Sequence, residues 1–209
     1  MVDLDKLYQL ALENAQRVRQ FRKRRIYEEL LKTIRENAGK SKTPIQLIGG
    51  LRGIGKTTMM LQLFLEIPNA FYFSADSILV RSEKLYSVIE EIYRAGHHTI
   101  FVDEIHKYPN WVEEMKNIYD DLDTQVIASG SSAASIRKGA IALGRRASDM
   151  KMRPLNFSEF FYLREGEVCT ASLEDVLDKK RAIRWLAEHP KVEKYYKEYL
   201  SIGGFPIQL

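Results

Sequence analysis

The chain has 209 residues, room for one full α/β domain with a small appendage but not for two large domains. An apolar fraction of 45% beside a charged fraction of 29% argues against disorder over most of its length. The formal charge of +4 suits a protein that handles anions, nucleotide and nucleic acid alike, and the lone Cys169 excludes an internal disulfide and favours a reducing, cytoplasmic setting.

The chain opens on an acidic Met1-Val2-Asp3 without a signal-peptide pattern, and no apolar run is long enough to cross a bilayer, so no membrane partner is expected. Residues 4–38 have helical periodicity: Leu7, Leu10, Ala11, Val18 and Phe21, then Tyr27, Leu30, Leu31 and Ile34. The stripe changes phase near Arg22–Arg25, which predicts two helices or one kinked helix, and Gly39 stops it before the polar linker 40–44. Ile45–Ile48 reads as a buried strand running into a glycine-rich turn, followed by a helix over Thr57–Glu66. Further strands are expected at Ala70–Ser74, Thr99–Asp103, Gln125–Ser129 and Ser148–Arg153, with helices at Glu83–Ala95, after Asn110 and after Ala133. Glu113 is spaced to complete a capping box with Asn110, Glu159 with Asn156 and Asp175 with Ser172. Past Pro154 only helices follow, up to Gly203-Gly204.

Strands alternating with helices imply an α/β fold with a mostly parallel five-stranded sheet and helices on both faces. The expected division is an N-terminal helical segment (1–40), a three-layer α/β core (41–155) and a small C-terminal helical subdomain (156–209).

Gly50-Leu51-Arg52-Gly53-Ile54-Gly55-Lys56-Thr57 matches the phosphate-loop pattern, with an apolar strand before it and a helix after it. Glycines let successive backbone N–H groups converge on phosphate oxygens, and the helix N-terminus adds the positive end of its dipole. Lys56 is expected to reach the β- and γ-phosphates of ATP, the Thr57 hydroxyl to ligate Mg²⁺, and Thr58 to complete the nucleotide-binding run. Arg52 either meets a phosphate, points to solvent or pairs locally.

The strand Thr99–Asp103 ends in two carboxylates, Asp103 and Glu104. Asp103 is expected to hold Mg²⁺ through water, and Glu104 to act as general base on the attacking water. Neighbouring positions on a strand point to opposite faces. Either the pleat breaks so that both carboxylates reach the site, or only one reaches it directly.

Asp103-Glu104-Ile105-His106, followed by Tyr108-Pro109-Asn110-Trp111, resembles the AAA-type prokaryotic ATPases. Gly130-Ser131-Ser132 is similar to their sensor-1 segment and Ala142-Leu143-Gly144-Arg145 to their L-x-G-R element. Arg153-Pro154-Leu155-Asn156-Phe157-Ser158-Glu159-Phe160 and Ile202-Gly203-Gly204-Phe205-Pro206 resemble two later signatures. The resemblance covers residues 45–209. It implies an ATPase core, the catalytic glutamate directly after the Walker B aspartate, and a strand between the two Walker strands, matched by 70–74. It also implies a C-terminal domain beyond the Gly-Gly turn, which makes this chain a fragment or a short member.

Ser131 is a candidate for contact with the γ-phosphate or lytic water, the alternative being the N-cap of the next helix; the two tasks fall to Ser131, to Ser132 or to both serines together. Arg145 is the candidate arginine finger, in cis or for a neighbouring subunit, with Arg146 beside it; the alternative is a surface pair. His106 is either structural or a phosphate sensor. His97-His98 has no ligand-forming neighbours in sequence, Asp76 is unassigned, and Trp111, Met115 and Ile118 are read as core. The basic run Arg17, Arg19, Arg22, Lys23, Arg24 and Arg25, read as lying on a helix, is a solvated face, a docking patch for a protein or a track for nucleic-acid phosphates.

The expected activity is Mg²⁺-dependent ATP hydrolysis in a switch or motor component, with ATP, ADP and a protein partner or second copy as its partners. The alternatives are a nucleic-acid-associated protein with a regulatory ATPase and a small-molecule kinase. A GTP switch would need an Asn-Lys-x-Asp motif, which the sequence lacks.

Overall fold

The computed structural model describes residues 2–206; Met1 of the expected N-terminal segment and residues 207–209 of the expected subdomain lie outside the described residues. The chain divides into two compact units, Met1–Arg52 with Lys56–Arg153, and Gly53–Gly55 with Pro154–Leu209.

The first unit holds α1 (Leu4–Val18), α2 (Ile26–Asn37), β1 (Ile45–Gly49), α3 (Lys56–Glu66), β2 (Ala70–Ser74), α4 (Leu85–Arg94), β3 (Thr99–Asp103), α5 (Trp111–Asp121), β4 (Gln125–Gly130), α6 (Ala133–Leu143) and β5 (Ala147–Lys151). The five strands form one parallel sheet in the order β2-β3-β4-β1-β5. Every residue of β1 and β4 is buried, the polar Gln46, Gln125 and Ser129 included, as strands covered on both faces require. Ile45, Leu47, Phe71, Phe73, Ile100, Val102, Val126 and Ala128 belong to one core cluster with Val88, Met115 and Ile136 of α4, α5 and α6. The intervening Ile48, Tyr72, Phe101 and Ile127 are buried too, along with Met60 and Leu63 of α3. At the sheet edge β5 is largely exposed and carries Asp149 and Lys151, charges that blunt an open edge.

The phase change near residue 22 is a break between two helices. Lys23 donates to Glu66 at 2.7 Å, and the buried Arg24 donates to the Arg153 carbonyl at 3.0 Å. Those contacts hold 22–24 in non-helical chain, so the basic run does not form the single helical face the periodicity suggested. Tyr27, Leu30, Leu31 and Ile34 of α2 are buried within the same unit as the sheet, so the N-terminal segment packs with the core it precedes.

Two local expectations need correction. Asn110 sits in the left-handed region at φ 54° and makes no side-chain cap to α5, so the Asn110–Glu113 box does not form. The fifth strand is Ala147–Lys151, not Ser148–Arg153. It stops short of Pro154, which has no N–H to extend the ladder.

The second unit contains α7 (Phe157–Glu165), α8 (Leu173–Leu177), α9 (Lys179–Glu188) and α10 (Pro190–Ile202). Asn156 accepts from the Glu159 N–H at 2.8 Å, and Ser172 with Asp175 forms a complete capping box. Leu155 N–H donates to the Gly204 carbonyl at 2.7 Å and the Tyr199 hydroxyl to the Leu155 carbonyl at 2.9 Å. A Cβ on Gly204 would lie 2.4 Å from the Leu155 oxygen, so only glycine allows this approach. The Pro154-Leu155 and Gly203-Gly204 motifs, almost fifty residues apart, are thus two halves of one backbone contact.

Candidate functional site

The parallel strands β1, β3 and β4 end on the same edge of the sheet, where ligands of open α/β sheets bind. The loop from Gly50 to Gly55 leaves β1 there and runs into α3. Gly53 and Gly55 have φ of 83° and 91°, a conformation that lets the backbone curl as a phosphate cradle must. Lys56 is buried, and its ammonium donates to the carbonyls of Gly50 at 2.8 Å and Leu51 at 2.9 Å. Burial lowers its pKa from the ordinary lysine value, and the Glu104 and Asp103 charges oppose that shift. Leu51, Arg52 and Thr57 are exposed; Gly53, Gly55 and Thr58 are half-buried, and Ile54 is buried.

Asp103 is buried at the end of β3 and accepts from four donors. Thr57 Oγ1 at 2.6 Å and the Tyr72 hydroxyl at 3.0 Å bond Oδ2; the Glu104 N–H at 3.1 Å and Ser129 Oγ bond Oδ1. Burial first, then the Asp103 charge, holds the Tyr72 phenol well above its usual pKa, so it remains a neutral donor. Tyr72 and Ser129 were not singled out from sequence. The available signal was a hydroxyl-bearing residue in an otherwise apolar strand whose end abuts the Asp103 strand.

Glu104 answers the question of the pleat. Its φ of 54° and ψ of 39° are left-handed, unusual for a residue with a side chain. The break ends β3, and the charges of both consecutive carboxylates act on Lys56. Oε2 of Glu104 accepts from Ser131 N–H at 3.2 Å and from Ser131 Oγ at 3.0 Å. The neighbouring Ser132 caps α6 by accepting from the Ser135 N–H. Ser132 therefore holds the N-cap, and Ser131 bonds Glu104 instead.

Other candidates fall elsewhere. Arg146 forms a two-pronged pair with Asp120, at 2.9 and 3.1 Å. Arg145 is exposed in the single helical turn Gly144–Arg146, and no described contact joins it to Lys56, Asp103 or Glu104. His97 meets the Asn69 carbonyl at 3.0 Å and packs on Phe71, His98 stacks edge-on to Tyr93, and Asp76 pairs with Arg81. Trp111, Met115 and Ile118 are buried core. Arg17, Arg19, Arg22 and Arg25 are exposed. No helix among the described residues is long and apolar enough to cross a membrane.

In sequence, the chain is similar to an uncharacterized protein, MJ1637, of Methanocaldococcus jannaschii, with 29% identity over 90% of this chain and 43% of that one. It is also similar to an uncharacterized protein of Haemophilus influenzae, with 24% identity over 78% of this chain and 39% of the relative. The chain thus spans less than half the length of these relatives. In structure it resembles the Orc1 protein of Aeropyrum pernix in complex with DNA, with a TM-score of 0.50 and 13% identity over 69% of this chain and 49% of the other. It also resembles Hsp104 with ATPγS and FITC-casein, with a TM-score of 0.52 and 22% identity over 75% and 32% of the two chains. At these identities the structural likeness speaks for the P-loop α/β fold alone. Residues 42–161, more than half the chain, match the AAA domain family. The chain belongs to the AAA domain family, a group of nucleotide-binding, ATPase-type proteins.

Proposed function

We propose that this protein binds Mg-ATP at the loop Gly50–Thr58 and hydrolyses it, as a switch or motor component of a larger process. The observation that carries the reading is the convergence of four side chains at one sheet edge. Lys56 and Thr57 open α3, and Asp103 and Glu104 lie side by side at a broken strand end. Lys56 supplies a buried cation for the β- and γ-phosphates. The oxygens of Thr57 and Asp103, 2.6 Å apart, are hard donors of the kind Mg²⁺ takes. With Thr57 as a direct ligand and Asp103 acting through a water, positions remain for waters and phosphate, which is how this ion is usually held beside a nucleotide. The ion would neutralise charge on the phosphate oxygens.

Glu104 is the general base in this reading. Its carboxylate takes the proton of the attacking water, while Ser131 orients the carboxylate or meets the γ-phosphate. The exposed Arg145 suits an arginine finger offered to a second copy, because none of its described contacts lead back to its own site. Lys56→Ala is expected to abolish ATP binding. Glu104→Gln is expected to bind ATP and lose about 10²–10⁴ in turnover. Release of phosphate from ATP at the parental rate by Glu104→Gln would refute the base assignment. Measuring turnover with and without DNA tests whether the exposed arginines of residues 17–25 engage nucleic acid.

A further inference from the structure

We propose that His106 is a positioning residue for Glu104, holding the carboxylate through its Nδ1–H; this rests on the base role given to Glu104 above. His106 lies in the single helical turn Ile105–Lys107 directly after Glu104, with its side chain only 16% exposed. Its Nδ1 is 3.2 Å from Glu104 Oε2, and its Nε2 is 3.5 Å from Ser131 Oγ. The ring therefore borders both members of the Glu104–Ser131 pair.

The Nδ1 geometry is unusual. The atom is buried and close to a carboxylate oxygen, but it makes no well-aligned hydrogen bond among the described residues. Buried ring nitrogens are seldom left this way. The torsion that turns a glutamate carboxylate is broad and soft, so a small rotation of Glu104 would align Oε2 with the Nδ1–H. The carboxylate then has two supports, Ser131 as described and His106 after the turn. His106 takes the load when the Ser131 hydroxyl is drawn to phosphate or water.

The backbone beside the ring leaves it this place. A Cβ on Gly130 would come within 3.1 Å of Nδ1 and 2.7 Å of Ile136 Cδ1. Glycine at 130 is what lets the imidazole stand beside the end of β4.

The test compares His106→Asn, whose amide nitrogen can stand near the Nδ1 position, with His106→Phe, which keeps a ring and loses both nitrogens. Glu104→Gln is measured in parallel. His106→Phe is expected to lose about tenfold or more in kcat, as misplacing a reacting group does, with the Kd for ATP held within about twofold. His106→Asn is expected to keep most of the parental kcat. Parental kcat in His106→Phe beside a stalled Glu104→Gln would overturn the positioning role and leave the base role standing. Parental turnover in Glu104→Gln would remove the base role itself. An equal loss of kcat in Asn and Phe would overturn the assignment to Nδ1. Should the Phe variant not fold, His106→Ala replaces it: imidazole added to the assay is expected to restore kcat, and a parental kcat without imidazole would overturn the proposal.

Discussion

Gly139→Ala sets two opposing effects against each other. Gly139 lies within α6, where alanine should gain about 1 kcal/mol from helix propensity alone. Yet a Cβ there would fall 2.1 Å from Trp111 Cη2 and 2.4 Å from Cζ2. Ordinary contact begins at 3.4 Å, so the indole or the helix must move by more than an ångström. Trp111 is 6% exposed and held in the core cluster, which leaves the ring little room. Overpacking of this kind costs about 1–3 kcal/mol, and an indole forced off its rotamer a further ~1 kcal/mol. The steric effect wins, and the net loss should be about 1–3 kcal/mol, which for a domain of this size lowers Tm by roughly 2–12 °C. Melting followed by Trp111 emission in a Trp185→Phe background reads both the stability and the ring's displacement. Adding Trp111→Phe, whose ring is shorter, should recover part of the loss as a coupling between the two sites. A higher Tm in Gly139→Ala, with Trp111 emission unchanged, would refute the reasoning.

Glu66 closes α3, where the helix dipole disfavours a carboxylate, but Lys23, Tyr27 and Arg35 donate to it at 2.7, 2.6 and 2.8 Å. The Lys23 hydrogen bond first, then that of Tyr27, holds its carboxyl below the ordinary 4.5, while burial pushes the Tyr27 phenol up to about 12. With the folded pKa depressed, the stabilisation is present above pH 4.5 and disappears as pH falls through the folded value. Glu66→Gln should therefore cost about 1–2 kcal/mol at neutral pH, after allowance for its partial exposure, and should flatten the acid limb of Tm against pH; an unchanged acid limb would contradict this. Arg146→Ala should remove the Asp120 pair with little effect on turnover, whereas Arg145→Ala should reduce turnover by about 10³ at protein concentrations where copies associate. Equal turnover in the two variants across a concentration series would rule out the finger.

Much of the fold was legible because its signals are local. Unbroken apolar runs announced the buried strands, glycines their turns, and the loop before Lys56 carries its own strand–loop–helix context. What sequence could not supply depends on which strands become neighbours. Residues 70–74 lie between the two Walker strands in the chain, but in the sheet β2 is at the edge and β4 stands between β1 and β3. That order brings Ser129 and Ser131 to Asp103 and Glu104, and it places Tyr72 against Asp103 from the other side. Periodicity also cannot report a left-handed residue. Glu104 and Asn110 both adopt that conformation, which in one case gathers two carboxylates and in the other undoes a capping box. The basic run 17–25 misled for a related reason: residues with the composition of a solvated face include Arg24, which is buried.

The packing of α1 and α2 bears on how this domain can be cut. The family match begins at residue 42, but Leu7, Ala11, Ala15, Tyr27, Leu30, Leu31 and Ile34 before it are all buried. A fragment trimmed to the match would uncover those partners' side of the sheet and leave Glu66 without Lys23, Tyr27 and Arg35. The boundary of resemblance is therefore narrower than the boundary of folding. Tags and fusion points belong ahead of Val2, whose side chain is buried and whose N–H donates to Glu91.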